Sequence, residues 1–461
     1  MFDRTVYEKR RSVLKNNVGS GIILIQGNVD SPMNYPANPF HFRQDSTFLY
    51  YFGLNKSGFY GVIDIDSGVD YIFGTDFTMD DLIWMGPQPK VSKLAETIGA
   101  TKSGSVSEMK TLLGSAIKRG RKIHFLPPYR GENILDLAGL IGIKPQVIKD
   151  YSSLELISAI VKQRSYKEDR EIDEIEKALK ISSEMYDTLF KSVKPGKYEM
   201  EMTGIIEGIV GKYGAMTSFP IILSIHGETL HNHSHDNKME EGDLLIIDSG
   251  AESPEYYASD ITRTIPVSGK FSDMQKDIYH IVLKANETSI EFIQSGRKFK
   301  DIHILSAEII AGGLKDLGLM KGNIEDAVKE GAHALFFPHG LGHMMGLDVH
   351  DMENLGENHV GYTDKIKRSD QFGLAYLRLA RELEPGFVLT VEPGIYFIPA
   401  LIDKWKSEGK YKDFINYEKV EKYKTFGGIR IEDDILVREK GHKVLGKPIP
   451  KKVSDIENLM K

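Results

Sequence analysis

Over the first 155 residues, short apolar runs bounded by glycine or polar turns alternate with amphipathic stretches. GIILIQG (21–27), FYGVIDID (59–66), VDYIFGT (69–75) and RKIHFLP (121–127) read as buried strands. VSKLAETIGA and SEMKTLLGSAIKRG, between them, carry helical patterning. This alternation predicts a mixed α/β domain over 1–155. A different regime follows. LELISAIVKQRSYKEDREIDEIEKALKISSEMYDTLFKSV places Ile172, Ile175, Leu179, Met185 and Leu189 on one face, which predicts a single long amphipathic helix ended by Lys194-Pro195-Gly196. The domain boundary is expected within 151–165, with a second domain over 165–461.

The second domain contains four strand-like runs that each hold a carboxylate: LLIID (244–248), DITRTIPV (260–267), VLTVEPGIYF (388–397) and GIRIEDDILV (428–437). Burying an unpaired carboxylate is costly, so four such strands need a common cause. Taken alone, Asp248 is explained as a turn or cap residue, and Glu392 or Glu432 as half of a salt bridge. Asp248 and Asp260 stand twelve residues apart, a spacing that suits two antiparallel strands bringing both acids to one end of a hairpin. Adjacent carboxylates repel unless a cation lies between them. Arg430 and Glu432 are two residues apart, so strand alternation aims both at one face.

Composition narrows the chemistry. The 461 residues include no cysteine, which excludes disulfides, thiol catalysis, iron–sulfur clusters and thiolate zinc sites. Any bound metal must be held by His, Asp and Glu, and an oxygen-rich set suits hard divalent ions such as manganese. With 59 Lys+Arg against 66 Asp+Glu the net charge is −7, which offers no global attraction to nucleic acid or an acidic membrane. The N-terminal basic residues have no apolar run behind them, and no stretch nears the roughly 18 apolar residues of a membrane helix, so a cytoplasmic protein is expected.

Fourteen histidines are present, with four in the window 226–235 and three in PHGLGHMMGLDVHD, at His339, His343 and His350. A lone His is most often a satisfied core or surface group. Two clusters beside glycine-rich apolar sequence favour a site instead, because Gly340, Gly342 and Gly346 permit close backbone approach. HExxH is absent, so the zincin arrangement is not supported.

IIDSGAESPEYYASDITRTIPV, PHGLGHMMGLDVHD, LTVEPGIY and GGIRIEDDILV stand in the order found in the pita-bread metallopeptidases, and the chain resembles that family strongly over about 165–461. FRQDSTFLYYFGL (42–54) and IWMGPQP (83–89) resemble, more weakly, the N-terminal domain of aminopeptidase P and prolidase. The resemblance implies an α+β chain: an N-terminal mixed α/β domain, then a pita-bread (creatinase/aminopeptidase) domain. It implies two divalent metal ions, most commonly manganese, held by Asp248, Asp260, His343, Glu392 and Glu432. Asp260 and Glu432 would bridge, Asp248 would serve one ion, and His343 and Glu392 the other. It further implies substrate-side roles for His231, His339 and His350, and an active-site role for Arg430 beside the metal-binding acids. Where the family often has Asn four residues after the His matched by His231, this chain has His235. That leaves His231, His233 and His235 as candidates, with spacing favouring His231.

The activity so implied is hydrolysis of the Xaa-Pro bond, with Glu392 as ligand and general base. Methionine aminopeptidase lacks a comparable first domain, and creatinase has lost the metal ligands. The segment 373–406 and the insertion after it look closer to prolidase, and Arg378 matches an Arg that pairs with a dipeptide's terminal carboxylate. The alternative reading sets Arg378 and Arg381 on one face of an exposed helix. The expectation is a peptidase of small proline-containing peptides with dipeptidase character, and aminopeptidase activity close behind. A homodimer or homotetramer is expected, since family members commonly associate. The alternative is a non-catalytic pita-bread peptide-binding module, which typically lacks the ligand set.

Overall fold

The computed structural model describes residues 1–461, which divide into two compact units, Met1–Arg164 and Ser165–Lys461. The first unit is built on a five-stranded mixed sheet: β1 (Ile22–Gln26), β2 (Tyr60–Asp64), β3 (Val69–Gly74), β4 (Lys102–Ser105) and β5 (Ile123–His124), in the order β4-β3-β2-β1-β5. β1 pairs antiparallel with β2 and parallel with β5. Ile22, Ile23, Leu24 and Ile25 are all buried, as expected of a strand covered on both faces. Ile22 and Leu24 join Val62, Phe73, Met109 and Leu113 in one core. The four apolar runs of the first 155 residues are therefore strands, VSKLAETIGA contains the helix Val91–Thr97, and SEMKTLLGSAIKRG carries all but the first residue of the helix Val106–Lys118.

The long helix expected from 154 onward is two helices, Leu154–Ser165 and Asp169–Ser192. The break has a local cause. Lys167 gives its backbone N–H to Gly386 O at 2.8 Å instead of to a helical carbonyl. Glu168 starts the second helix with a reciprocal cap, its own N–H donating to Glu171 Oε2 at 3.0 Å.

The second unit carries three small sheets. β6 (Ile222–Ser224), β7 (Leu244–Ser249) and β8 (Ile261–Pro266) form the first. β9 (Val388–Val391) pairs with β12 (Asp433–Val437), and β12 pairs with β13 (His442–Val444). β10 (Gly394–Tyr396) pairs with β11 (Gly428–Arg430). The expected runs 388–397 and 428–437 are thus each interrupted, and the interruptions are the positions of Glu392 and Glu432. Pro393 contributes to the first break, since it has no N–H for a ladder. The carbonyls freed at the breaks are satisfied from behind: buried Asn286, on the helix Asp273–Glu291, donates to Val391 O at 3.0 Å and Ile431 O at 3.3 Å. No helix is long and apolar enough to cross a membrane.

Candidate active site

A cavity of about 610 Å³ opens in the second unit. His231, Asp248, Asp260, His339, His343, His350, Arg378, Glu392, Arg430 and Glu432 all line it. These ten residues, to which the sequence reading gave site roles, are brought together there from positions as far apart as 231 and 432.

β7 and β8 pair with Asp248 opposite Thr262, so Asp248 and Asp260 lie at the same end of the hairpin. Asp260 is fixed through its backbone, whose N–H donates to Asp434 Oδ2 at 3.0 Å. Glu432 bridges to Thr262: its N–H donates to Thr262 O at 3.1 Å, and its Oε2 accepts from Thr262 Oγ1 at 2.6 Å. Glu392 is anchored by its N–H on Leu341 O at 2.8 Å.

His343 reaches the acids because its loop lies tightly on β9. Its N–H donates to Thr390 Oγ1 at 3.1 Å, and a Cβ at neighbouring Gly342 would stand 2.1 Å from Thr390 O, so only glycine fits. His343 Nδ1 faces Met344 O at 3.1 Å, which makes Nδ1 the protonated nitrogen. Nε2 is left with its lone pair toward Asp260 Oδ2 at 3.4 Å and Glu392 Oε1 at 3.8 Å. Ligand atoms of Asp260, His343 and Glu432 lie within 4.8 Å of one another. A lone pair facing carboxylate oxygens is repulsive unless a cation stands between them.

The electrostatics carry the same signature. Burial first, and then the neighbouring acids, push Asp260 and Glu432 well above the ordinary carboxylate range. Burial raises Glu392 to about 8, against the lowering effect of Arg430. Burial, with His350 adding to it, drives His343 well below an ordinary imidazole. Asp248 Oδ1 and Asp260 Oδ1 are buried without a hydrogen-bond partner. Buried polar atoms are rarely left unpaired, and two carboxylate oxygens orphaned in one cavity fit a site for hard cations.

Arg430 borders the acids and is itself buried. It donates to Asp248 Oδ2 at 2.5 Å, to Tyr396 Oη at 2.7 Å and, from Nε, to Thr262 Oγ1 at 3.3 Å. Tyr396 Oη lies 2.9 Å from His339 Nε2, and His339 Nδ1 lies 2.8 Å from Gly340 O. Both ring nitrogens of His339 are therefore taken by protein groups, and burial lowers it to about 3, leaving it neutral. His350 packs edge-on against His343 with ring centroids 4.2 Å apart, and its Nδ1 lies 2.5 Å from Glu353 Oε2.

Of the three histidines left open by the sequence, His231 and His233 line the cavity, while His235 turns its Nδ1 to Leu223 O at 3.0 Å. Burial lowers His231, with Arg430 adding to the effect. Arg378 is not on a helix: it follows the short turn Leu374–Tyr376 and binds Glu353 and Glu357 through NH1. Several residues of the site escaped sequence reasoning, namely Tyr396, Thr262, Asp434 and Glu353. Only Asp434 carried a signal, as the third acid of Glu432-Asp433-Asp434. The three diverge: Glu432 enters the cavity, Asp433 pairs with Arg263 at 2.7 Å and Lys451 at 2.6 Å, and Asp434 holds Asp260.

Residues 173–439 match the metallopeptidase family M24, and residues 7–124 match the N-terminal domain of aminopeptidase P. A Xaa-Pro dipeptidase of Rattus norvegicus is 34% identical over 457 residues, covering 96% of this chain and 89% of its own. A probable Xaa-Pro aminopeptidase of Paracoccidioides brasiliensis is 30% identical over 98% of this chain and 96% of its own. A substrate complex of an Escherichia coli aminopeptidase P variant superposes with a TM-score of 0.82 at 27% identity, covering 100% of this chain and 98% of its own. With its apolar-walled acidic cavity and these relatives along nearly its whole length, the chain belongs to the metallopeptidase family M24, in the group that carries an aminopeptidase P N-terminal domain.

Proposed function

We propose that this chain is a metal-dependent peptidase that hydrolyses the Xaa-Pro bond of small proline-containing peptides. The observation that carries the reading is the convergence of four acids and His343 Nε2 on one cavity, with orphaned carboxylate oxygens pointing to cations. Asp248, Asp260, His343, Glu392 and Glu432 would hold two divalent ions. Manganese suits a set of carboxylates with one imidazole. Bound there, such ions supply polarisation of a peptide carbonyl and acidification of water.

The chain's own groups do the rest. Among Asp248, Asp260 and Glu392, Glu392 has the most exposed side chain, at 19% against 11% and 7%, so it meets water and can carry a proton to the leaving nitrogen. That nitrogen is a tertiary amide without N–H, which removes the handle used by ordinary peptidases. His231 and His350 line the same cavity, which supports a role for them as hydrogen-bond donors to the carbonyl oxygen as it gains charge. Arg430 ties Asp248 to Tyr396 and His339, keeping the donor set in register. His339 contributes a neutral ring to the cavity wall.

The NH1-only anchoring of Arg378 leaves its Nε and NH2 hydrogens without a protein acceptor, which supports recognition of a dipeptide's terminal carboxylate and hence dipeptidase character. Residues 1–155 serve as the aminopeptidase P-type N-terminal domain and 165–461 as the catalytic one. Association into a homodimer or homotetramer is supported by the helix Met79–Met85, which buries none of its residues and leaves Trp84 87% exposed. A cytoplasmic location is part of this reading, since a chain without cysteine needs no oxidising compartment to form disulfides. The test is a paired assay on a Xaa-Pro dipeptide and a Xaa-Pro-Yaa tripeptide after loading with manganese. Turnover of neither removes the reading, and tripeptide turnover at or above that of the dipeptide removes the dipeptidase assignment.

A further inference from the structure

Glu353 lies outside the donor set, yet it touches two groups that the preceding reading sets against substrate. Its Oε2 is 2.5 Å from His350 Nδ1, and its Oε1 accepts from Arg378 NH1. The same NH1 donates to Glu357 Oε1 at 2.7 Å. One carboxylate therefore spans the imidazole beside the donor set and the guanidinium at 32% exposure on the cavity wall.

The backbone is built to keep it there. His350 to Glu353 form a tight turn closed by Glu353 N–H on His350 O at 3.2 Å. Met352 within it is fully buried at φ 63°, a left-handed conformation unfavourable for a side chain of its kind. On the other side, Asp351 pairs with Lys167 at 2.8 Å, both side chains 1% exposed. A strained turn pinned by a buried ion pair is a costly way to place a surface acid, and an understandable way to place one that must hold two partners at once.

We propose that Glu353 is a positioning residue that couples recognition of the substrate's terminal carboxylate at Arg378 to the orientation of His350. The proposal rests on the assignment of His350 and Arg378 as substrate-side groups. With Nδ1 engaged by Glu353, His350 keeps Nε2 as its free nitrogen. Burial alone would raise Glu353, but its bond to His350 and the Arg378 charge bring it down to about 2, so it acts as a carboxylate throughout the working range. A dipeptide carboxylate on the open edge of Arg378 meets a guanidinium whose NH1 Glu353 holds in place. Binding at that edge and the Glu353–His350 contact are therefore linked, and linkage of this kind is reciprocal.

The test measures kcat and KM for a Xaa-Pro dipeptide and a Xaa-Pro-Yaa tripeptide in the wild type, E353Q, R378A and the double variant. Unfolding midpoint and bound metal per chain are recorded for each. E353Q is expected to lower kcat on both substrates and to raise KM by about 10-fold on the dipeptide alone, the size expected for a lost charged hydrogen bond. The double variant is expected to have a dipeptide KM no higher than that of R378A, because the two changes break one linkage. KM increases that multiply in the double variant, or a kcat unchanged by E353Q, would overturn the coupling while leaving the peptidase reading intact. A dipeptide KM unchanged by R378A would instead overturn the assignment of Arg378 beneath it. If E353Q lowers the unfolding midpoint, E353D provides the second variant: its shorter carboxylate can reach one partner but not both, and wild-type kinetics from it would overturn the proposal.

Discussion

Arg430 donates to Asp248 Oδ2 at 2.5 Å, and both side chains are nearly closed to solvent, at 4% and 11% exposure. An ion pair so buried is stabilising only while both partners remain, because removing one strands the other charge. Here the guanidinium also reaches Tyr396 and Thr262, so three acceptors are organised by one planar group.

Lysine cannot reproduce that fork, since an ammonium is a point charge with no fixed plane. Arg430→Lys is therefore expected to keep the charge balance but lose at least two of the three contacts. A fall in kcat/KM of roughly 10- to 100-fold is expected, with metal content retained, from the usual worth of charged hydrogen bonds. Steady-state kinetics beside metal analysis checks it, and activity within twofold of wild type would refute the organising role.

Asp260, Glu432 and Glu392 are raised when no cation neutralises them, Glu392 to about 8. At neutral pH the metal-free centre thus holds protons that cations must displace, so metal binding releases protons and strengthens as pH rises toward 8. Calorimetric titration of metal-stripped protein with manganese, repeated in buffers of different ionisation enthalpy, reads the number released. A value of zero at pH 7 would contradict the electrostatic picture.

His303 and His333 are fully buried away from the cavity, and burial lowers them to about 3 and about 4. Their folded values lie below the unfolded value of about 6.5, so the unfolded chain takes up protons first as pH falls. Stability is therefore complete above about 6.5 and declines toward 4, by up to about 1.4 kcal/mol per pH unit for each histidine. His303 packs beside Phe337, so His303→Leu keeps an apolar neighbour there while removing the titration. Denaturant unfolding at pH 7 and pH 5 should show a smaller pH loss in the variant. An equal loss would place the acid sensitivity elsewhere.

Much of the fold was legible because its cues are local. β1 is a run of four buried apolar residues, and the capped helix Val106–Lys118 carries its apolar face in its own sequence. The acids that line the cavity were legible for a related reason: Asp248, Asp260, Glu392 and Glu432 are anomalies in otherwise apolar segments, and family motifs gave them an order. What escaped depends on distant chain segments meeting. Glu168 breaks a pattern that reads as one helix, because Lys167 bonds to Gly386, more than 200 residues away. Thr262 is an ordinary strand threonine until β8 meets Glu432, and Tyr396 an ordinary aromatic until β10 lies beside Arg430.

By itself, then, the sequence determined which segments form strands and helices, which acids are out of place, and the chemistry that four carboxylates and an imidazole can support without any thiol. Tertiary structure alone decided that the strands stop at Glu392 and Glu432, that His235 turns aside while His231 faces the cavity, and that Glu353 holds His350 and Arg378 together. The reason is physical. Backbone periodicity and burial preference act over a few residues and are written in every window of the chain. The partner of a hydrogen bond or a charge is chosen by register and packing between segments far apart in sequence, which no single window contains.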